Sequence, residues 1–158
     1  MQLANMSKGA GEAFTKELAR LGKDSEKIGK QVVMAGASPV ADEIRKNLEE
    51  NLKDHAFAGI GDGDLLGGKR NMYTGDLLES FGIAPPSMDQ YGKIDTKIGF
   101  AGYDRKGVPN ALKARAMESG TSWLRKRPFV RPAVNKTRGK SQEAMISKLD
   151  EAIKIYAL

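Results

Sequence analysis

The chain contains no cysteine among its 158 residues, which excludes disulfide bonds, thiolate metal ligands and cysteine nucleophiles. Its only histidine, His55, leaves little for an imidazole metal site or a catalytic triad, and we interpret it as a solvated side chain. The sequence also lacks an apolar run of about 18 residues, the length needed to cross a membrane. We therefore expect no cofactor, no metal ion, no enzymatic activity and no membrane contact, and a protein that is cytoplasmic where it is made.

Aromatic residues are scarce, at 6% of the chain, whereas glycine contributes 18 residues. The apolar fraction of 40% still suffices for one modest hydrophobic core, and the length suits a single domain spanning residues 1–158. Six of the glycines fall between Gly59 and Gly75, where large apolar residues are few. Such a segment buries too little surface to offset its ordering entropy, so we expect a mobile loop at about 56–72.

Helical periodicity is strongest near the two ends of the chain. Over residues 10–54, apolar side chains recur every three, four or seven positions, which predicts one long N-terminal helical arm. Because Ser38-Pro39 interrupts this pattern, we expect the arm to be bent or broken at 36–39. A second helix is predicted at the C-terminus, opened by Pro132 and weakened at Gly139. Its apolar stripe consists of Met145, Leu149, Ile153 and Tyr156.

Three glycines of the N-terminal arm, Gly22, Gly29 and Gly36, lie one heptad apart. That spacing would let another helix approach closely. However, each glycine costs about 1 kcal/mol inside a helix relative to alanine. We therefore interpret the spacing as a coincidence.

The middle of the chain favours strands. Ser80–Ala84 predicts a short strand that stops at Pro85-Pro86, and Lys93–Phe100 predicts a second strand because its apolar residues alternate. The spacer between them suits a hairpin loop. Ala111–Ser119 leans helical and ends at Gly120. The sequence thus predicts an α+β fold in which a long N-terminal helical arm and a C-terminal helix pack on a small, mainly antiparallel sheet.

Two patterns resemble ligand-binding loops but lack necessary residues. The stretch 63–69 matches most of a phosphate-binding loop, yet Arg70 stands where Ser or Thr would hold magnesium. An aspartate pair that begins at Asp62 resembles the start of a calcium loop, yet Tyr73 stands where the bidentate glutamate belongs. We expect neither nucleotide nor calcium binding.

The charge of the chain is distributed unevenly. Of the 26 basic and 20 acidic residues, which give a net charge of +6, residues 104–140 hold eleven and two. Basic side chains can bind phosphates, and the neighbouring aromatic rings of Trp123 and Phe129 can stack on bases. Arginine and tryptophan are also enriched at the centres of protein interfaces, so nucleic acid, an acidic protein partner and a plain solvated surface all stay open from charge alone. The basic patch comprises Arg125, Lys126, Arg127, Arg131, Lys136, Arg138 and Lys140.

Two segments carry a resemblance to a known family. The first, Tyr73–Ser80, contains the pattern TG-x-L-x-x-S. The second begins with E-x-GT at Glu118 and continues with RPF-x-RPA over Arg127–Ala133. In this order and spacing, the segments resemble the tail-component family of long-tailed bacteriophages, whose members are tail-completion or neck proteins. The motif residues are Thr74, Gly75, Leu77, Ser80, Glu118, Gly120, Thr121, Arg127, Pro128, Phe129, Arg131 and Pro132.

This resemblance implies a small α+β structural protein of the virion neck, which completes the tail and joins it to the head. It implies a ring, commonly of six copies, on the end of the tail. The implied partners are the tail tube or tail terminator, the head connector proteins and further copies of the chain. DNA contact is compatible with this role, but we expect no specific DNA site. The implied location is the virion, after synthesis in the cytoplasm of the host bacterium.

Elementary chemistry suggests what four residues of the motif segments do at their turns. Gly75 and Gly120 permit backbone conformations that are closed to other residues. The hydroxyls of Thr74 and Ser80 are expected to satisfy amides at the ends of the first turn.

The remaining motif residues surround a proline-flanked anchor. Two prolines hold residues 125–132 extended, so Phe129 is a preset apolar anchor, either as a core plug leading into the last helix or as an interface side chain. We expect Glu118 to pair with Arg127 or Arg131 across the intervening turn, which would make it structural.

Overall fold

The computed structural model describes residues 3–53, 75–104, 107–122 and 124–156. The chain forms an α+β fold, as the sequence predicts. The loop expected at 56–72 and the motif residue Thr74 lie outside the described residues, as do His55 and Trp123. The elements in chain order are α1 (Leu3–Lys53), α2 (Gly75–Glu79), β1 (Phe81–Ile83), β2 (Ser87–Met88), β3 (Ile94–Asp95), β4 (Ile98–Phe100), α3 (Asn110–Ser119) and α4 (Val130–Tyr156).

Helix α1 continues through Pro39, so the arm is not broken at 36–39, whereas a bend there, the other expectation, stays a prediction. Proline removes one backbone N–H from a helix interior and costs about 3 kcal/mol. Burial on both sides of Pro39 offsets this cost, because Ala37, Ile44 and Leu48 are all buried. Each large apolar side chain removed from water contributes roughly 1.5–3 kcal/mol. Tertiary packing therefore overrides the local signal.

Helices α1 and α4 run antiparallel and approach closely at Gly36. A Cβ at Gly36 would lie only 2.5 Å from Met145 Cγ and 2.7 Å from its Sδ. The hydroxyl of Ser141 donates a 2.7 Å hydrogen bond to the Gly36 carbonyl. A Cβ at Gly29 would collide with the side chain of Ile94, whereas one at Gly22 would meet nothing within 4 Å. Of the three glycines, only Gly36 therefore meets another helix, whereas Gly29 meets a strand side chain and Gly22 meets nothing. The interpretation of the heptad spacing as a coincidence stands, although Gly36 by itself serves the close approach.

Helix α4 begins at Val130, two residues before the proline that was expected to open it, and it continues through Gly139. Small residues form its buried face, whereas Leu149 and Ile153 of the predicted stripe remain 42% and 43% exposed. Close approach to α1 explains this difference, because a large side chain between the two backbones would hold the helices apart. The buried positions among the described side chains of α4 are Ala133, Thr137 and Ala152.

The predicted strand over Lys93–Phe100 is two strands that belong to different sheets. β3 pairs with β2, and β4 pairs with β1, both antiparallel. The ladder of β2 and β3 ends just before Thr96, whose hydroxyl donates to the carbonyl of Ala84. Strict alternation along the sequence could not reveal this change of partner, since both strands keep the same period of two. The short strand predicted over Ser80–Ala84 is confirmed as β1. The spacer predicted as one hairpin loop is wrong in part, because it contains β2, and only the turn between β2 and β3 closes a hairpin.

The core lies between α1, the sheet of β1 and β4, α3 and the start of α4. The rings of Phe81 and Phe100 lie 5.2 Å apart between centroids, and those of Phe100 and Phe129 lie 6.0 Å apart at 83°. Offset and edge-to-face arrangements of this kind are the favourable ones for aromatic rings. The buried cluster consists of Ala41, Ile44, Leu48, Leu77, Phe81, Ala114, Met117, Phe129 and Ala133.

Substitution of Gly36 by valine tests the close contact between α1 and α4. We expect Gly36→Val to lower the free energy of unfolding by about 1–3 kcal/mol, because the branched side chain collides with Met145. The matched control Gly22→Val should change it by less than about 0.5 kcal/mol, because valine and glycine differ little in helix propensity. Urea unfolding curves measure both. Equal effects at the two glycines would contradict the close approach.

Candidate interaction surface

The second motif segment forms the junction between α3 and α4. α3 ends at Gly120, whose φ of 76° lies in the region that favours glycine. A Cβ at this position would lie 2.8 Å from the backbone nitrogen of Lys126 and 2.9 Å from the carbonyl oxygen of Leu124. The N–H of Gly120 donates to the carbonyl of Ala116 at 2.8 Å. Both conformation and space therefore require glycine here, as predicted.

Backbone hydrogen bonds fold the rest of the junction against α3. Thr121 and Leu124 exchange two bonds: the N–H of Thr121 donates to the Leu124 carbonyl at 2.9 Å, and the N–H of Leu124 donates to Thr121 Oγ1 at 3.0 Å. The N–H of Arg127 donates to the carbonyl of Met117 at 2.8 Å. Residues 120–122 and 124–127 are thus held to α3 and to one another by these bonds, and we call this segment the tied turn.

The carboxylate of Glu118 caps the N-terminus of α4. Its Oε2 accepts from the N–H groups of Phe129 at 2.7 Å and Val130 at 2.9 Å, and its Oε1 accepts from the N–H of Arg131 at 3.1 Å. The first N–H groups of a helix have no partner within it, and the positive end of the helix dipole favours an anion there. Glu118 is structural, as expected, and the N–H groups that its carboxylate accepts are backbone amides.

The ring of Phe129 belongs to the core. It is fully buried, with no exposed surface, and the core alternative is therefore the one that this structure supports. Two asparagines of α1 hold the backbone around it: Asn47 Nδ2 donates to the Phe129 carbonyl at 3.1 Å, and Asn51 Nδ2 donates to the Arg127 carbonyl at 3.2 Å. Pro128, between these two carbonyls, is exposed.

The first motif segment meets the second inside the core. Gly75 opens α2, and Leu77 is buried in the same cluster as Phe129. The hydroxyl of Ser80 donates to the carbonyl of Leu77 at 2.8 Å, so it satisfies a carbonyl rather than the expected amide. The two motifs are therefore parts of one packed unit. The motif side chains that remain exposed on this unit are Thr121, Pro128, Arg131 and Pro132.

The predicted basic patch begins on the α3–α4 junction. Arg125 and Lys126 are exposed, and Arg127 is half-buried. The turn that carries them is tied at both ends, by the cap at Gly120 and by the asparagine bond to Arg127. Two cationic side chains are thus presented on a fixed backbone, which lowers the entropy lost when a partner binds.

The basic residues of α4 lie on two different faces. Arg131 and Arg138 are seven residues apart, and this spacing places them on one face of a helix. Lys136 and Lys140 are four residues apart on another face, about 140° away. There, Lys136 Nζ contacts Glu43 Oε1 of α1 at 2.6 Å. The structure therefore does not bring all seven predicted basic residues into one patch.

The ion pair between α4 and α1 also makes stability depend on pH. The hydrogen bond from Lys136 lowers the pKa of Glu43 below its ordinary value. Since the folded-state pKa is depressed, the contribution of the pair is present above the ordinary carboxyl pKa and is lost as pH falls through the folded value.

The structure contains a buried ion pair that the sequence does not indicate. Lys113 Nζ lies 3.1 Å from Asp104 Oδ2, and the two side chains are only 2% and 0% exposed. Asp104 Oδ1 also accepts from the N–H of Val108 at 2.8 Å. The only sequence signal is that Lys113 stands among alanines on a short helix with no apolar stripe, which does not reveal burial. The pair removes one cation from the excess charge of residues 104–140.

A polar cavity of about 400 Å³ lies beside this ion pair, between α2 and the start of α3. Asp76, Glu79, Asp104 and Asn110 contribute polar groups to its wall. Across the described ranges of the chain, no group of three or more His, Cys, Asp or Glu side chains is placed to hold a metal ion. None of the helices in the described residues is both long and apolar enough to cross a membrane.

Comparison with family models, with curated proteins and with solved structures finds no match. The family resemblance therefore rests on the two motif segments and their order along the chain.

Removal of the Glu118 charge tests the cap of α4. Glu118→Gln should lower the free energy of unfolding by about 1–3 kcal/mol, because it removes the charge at the helix end and supplies one acceptor oxygen in place of two for three N–H groups. Glu143→Gln, on an exposed position of the same helix, should change it by less than about 0.5 kcal/mol. Urea unfolding measures both, and equal effects would argue against the cap.

Truncation of Phe129 tests its place in the core. Phe129→Ala should lower the free energy of unfolding by about 3–5 kcal/mol, because it removes a buried ring and leaves a cavity. Tyr91→Ala removes a ring that is 84% exposed and should have little effect. Thermal unfolding distinguishes them. An unchanged melting temperature in Phe129→Ala would assign the ring to an interface instead.

Proposed function

We propose that this chain is a structural protein of a phage or prophage neck, which completes the tail and joins it to the head without catalysing a reaction. One observation carries the proposal. The two motif segments of the family resemblance, far apart in sequence, contribute Leu77 and Phe129 to the same buried cluster. A motif whose members pack and cap one another is what a conserved framework of a structural family would need. The α+β architecture also agrees with what the resemblance implies.

The chemistry of the motif residues supports a structural role. Both oxygens of Glu118 accept backbone N–H groups, which occupies the only motif carboxylate in capping. Gly120 shapes the turn, and Phe129 fills the core. The exposed cations Arg125 and Lys126 on the tied turn are free of these framework roles and can meet a partner.

A ring around the tail requires a heterologous contact, in which one face of a subunit meets a different face of its neighbour. Uneven charge suits such a contact: residues 104–140 carry eleven basic and two acidic residues, whereas the rest of the chain carries fifteen and eighteen. Charge complementarity steers and orients association more than it strengthens it. A tail end that presents several sites at once would raise the effective concentration of subunits and complete the ring.

A basic nucleic-acid-binding module is the second candidate. The observation that favours it is the row of Arg131 and Arg138 on one exposed face of α4. Such a module would bind duplex DNA with an affinity that falls steeply as salt rises, by a slope of about 0.9 per neutralised phosphate. The neck role predicts binding to isolated tails or connectors without such DNA binding.

Charge reversal on the tied turn tests the neck role. In the phage that encodes this chain, we expect the double variant Arg125→Glu, Lys126→Glu to yield separate full heads and tails in negative-stain images. The purified variant should keep its melting temperature within a few degrees, because both side chains are exposed. The control Lys23→Glu, Lys27→Glu reverses two exposed lysines of α1 and should leave joined particles.

Two outcomes would contradict this role. Normal infectious particles from the Arg125 and Lys126 double variant would remove the turn from the attachment surface. Joined particles in a strain that lacks the chain altogether would refute the neck role itself. Tails of abnormal length in that strain would instead indicate a tail terminator.

A further inference from the structure

The pairing of β1 with β4 determines which backbone groups of β4 point outward. The N–H of Ala101 donates to the carbonyl of Ser80 at 2.9 Å, and the N–H of Ala84 donates to that of Lys97 at 2.7 Å. In an antiparallel ladder, hydrogen-bonded and non-hydrogen-bonded pairs alternate. The intervening pairs Phe81–Phe100 and Ile83–Ile98 are therefore non-hydrogen-bonded. The N–H and C=O groups of Ile98 and Phe100 consequently point away from β1.

The two edges of the β1–β4 sheet differ in whether their outward backbone groups have hydrogen-bond partners in the described residues. On the β1 edge, Arg45 Nη2 donates to the outward carbonyl of Phe81 at 3.1 Å, and the Arg45 guanidinium lies 5.5 Å from the centre of the Phe81 ring. On the β4 edge, no hydrogen bond from the described part of the chain reaches the outward groups of Ile98 or Phe100. An uncovered edge of this kind is a template for another strand.

An apolar groove of about 500 Å³ runs beside the open edge. β4 forms one wall, and α3 and the start of α4 form the other. Its apolar lining includes Ala114, Val130 and Val134. A groove between a sheet edge and a helix accommodates an extended peptide, whose backbone pairs with the edge while alternate side chains enter the groove.

The rim of the groove is cationic. Arg115 and Arg131 line it, both are exposed, and neither has an ion-pair partner in the described residues. Glu118 also lines the groove, but its two oxygens accept the N–H groups at the start of α4, so its charge is directed at that helix end. A partner that places carboxylates at the rim would therefore meet two unpaired guanidinium groups, which bind carboxylates well.

We propose that the edge of β4 is a docking site for an extended, acidic segment of a partner protein, which adds a third strand to the β1–β4 sheet. The segment pairs its backbone with the outward groups of Ile98 and Phe100. It places small apolar side chains against Val130 and Val134, and its carboxylates meet Arg115 and Arg131. This site is separate from the turn that carries Arg125 and Lys126, and it does not depend on the neck role.

Amide hydrogen exchange of the free protein gives the first test. The N–H groups of Ile98 and Phe100 should exchange at least about tenfold faster than those of Gly99 and Ala101, which lie within the β1–β4 ladder. Equal protection at all four amides would show that the edge is already covered, and it would overturn the proposal.

Synthetic peptides give the second test. The probe is a capped heptapeptide that alternates glutamate and valine, Glu-Val-Glu-Val-Glu-Val-Glu. Its controls are the lysine analogue and a version that is N-methylated at alternate residues to block pairing. We expect the acidic peptide alone to bind and to slow exchange at Ile98 and Phe100 by at least about tenfold. The double variant Arg115→Glu, Arg131→Glu should reverse the preference toward the lysine peptide while keeping the melting temperature.

Several results would overturn the proposal. Failure of the acidic peptide to bind at millimolar concentration would do so, as would equal binding of the lysine or N-methylated peptide. Protection at Phe81 and Ile83 in place of the β4 amides would locate the binding elsewhere. Protection of the β4 amides by a single-stranded oligonucleotide, without protection by the acidic peptide, would assign the groove to nucleic acid.

Discussion

The cap that Glu118 places on α4 is the interaction on which the rest of the structure depends. One carboxylate binds three successive backbone N–H groups, and this fixes both the residue at which α4 begins and the direction in which it leaves the junction. Phe129 enters the core at the same point, so the ring is placed by the cap and by the two asparagines of α1 that hold the neighbouring carbonyls. Loss of the cap would therefore loosen a helix start, an aromatic anchor and the contact of α4 with α1 together.

Once α4 leaves the junction in this direction, it must lie against α1 along most of its length. The contact is made by small residues because Gly36 lets the backbones approach until Ser141 bonds to a main-chain carbonyl. In this closely packed interface, many short contacts between small side chains supply the van der Waals attraction that large side chains would supply in a wider one. This explains why a chain with 6% aromatic residues still forms a core, and why Leu149 and Ile153 stay partly exposed.

The sequence predicts the elements of this fold better than it predicts their partners. The fold class, β1, α3 and the glycine at its end all follow from local patterns, because periodicity and turn chemistry are local properties. The unbroken α1, the split of Lys93–Phe100 and the buried face of α4 depend on what each segment packs against, which no local pattern records. At the junction, spacing brings Glu118 near residues 127–131, but only the structure shows that its carboxylate accepts from three successive backbone amides. Buried Lys113 carries no sequence signal at all.

The scarcity of large apolar side chains also explains why the two edges of the β1–β4 sheet differ. A two-stranded sheet is marginal by itself and needs helices against one face. The face of the sheet that carries Phe81 and Phe100 packs against the core. Because α1 passes beside the β1 edge, its Arg45 reaches that edge. On the β4 edge, the apolar groove separates the strand from α3 and the start of α4, so no hydrogen bond from the described residues covers that edge. The cap and the open edge therefore have one origin: Glu118 holds α4 at the position that forms the outer wall of the groove.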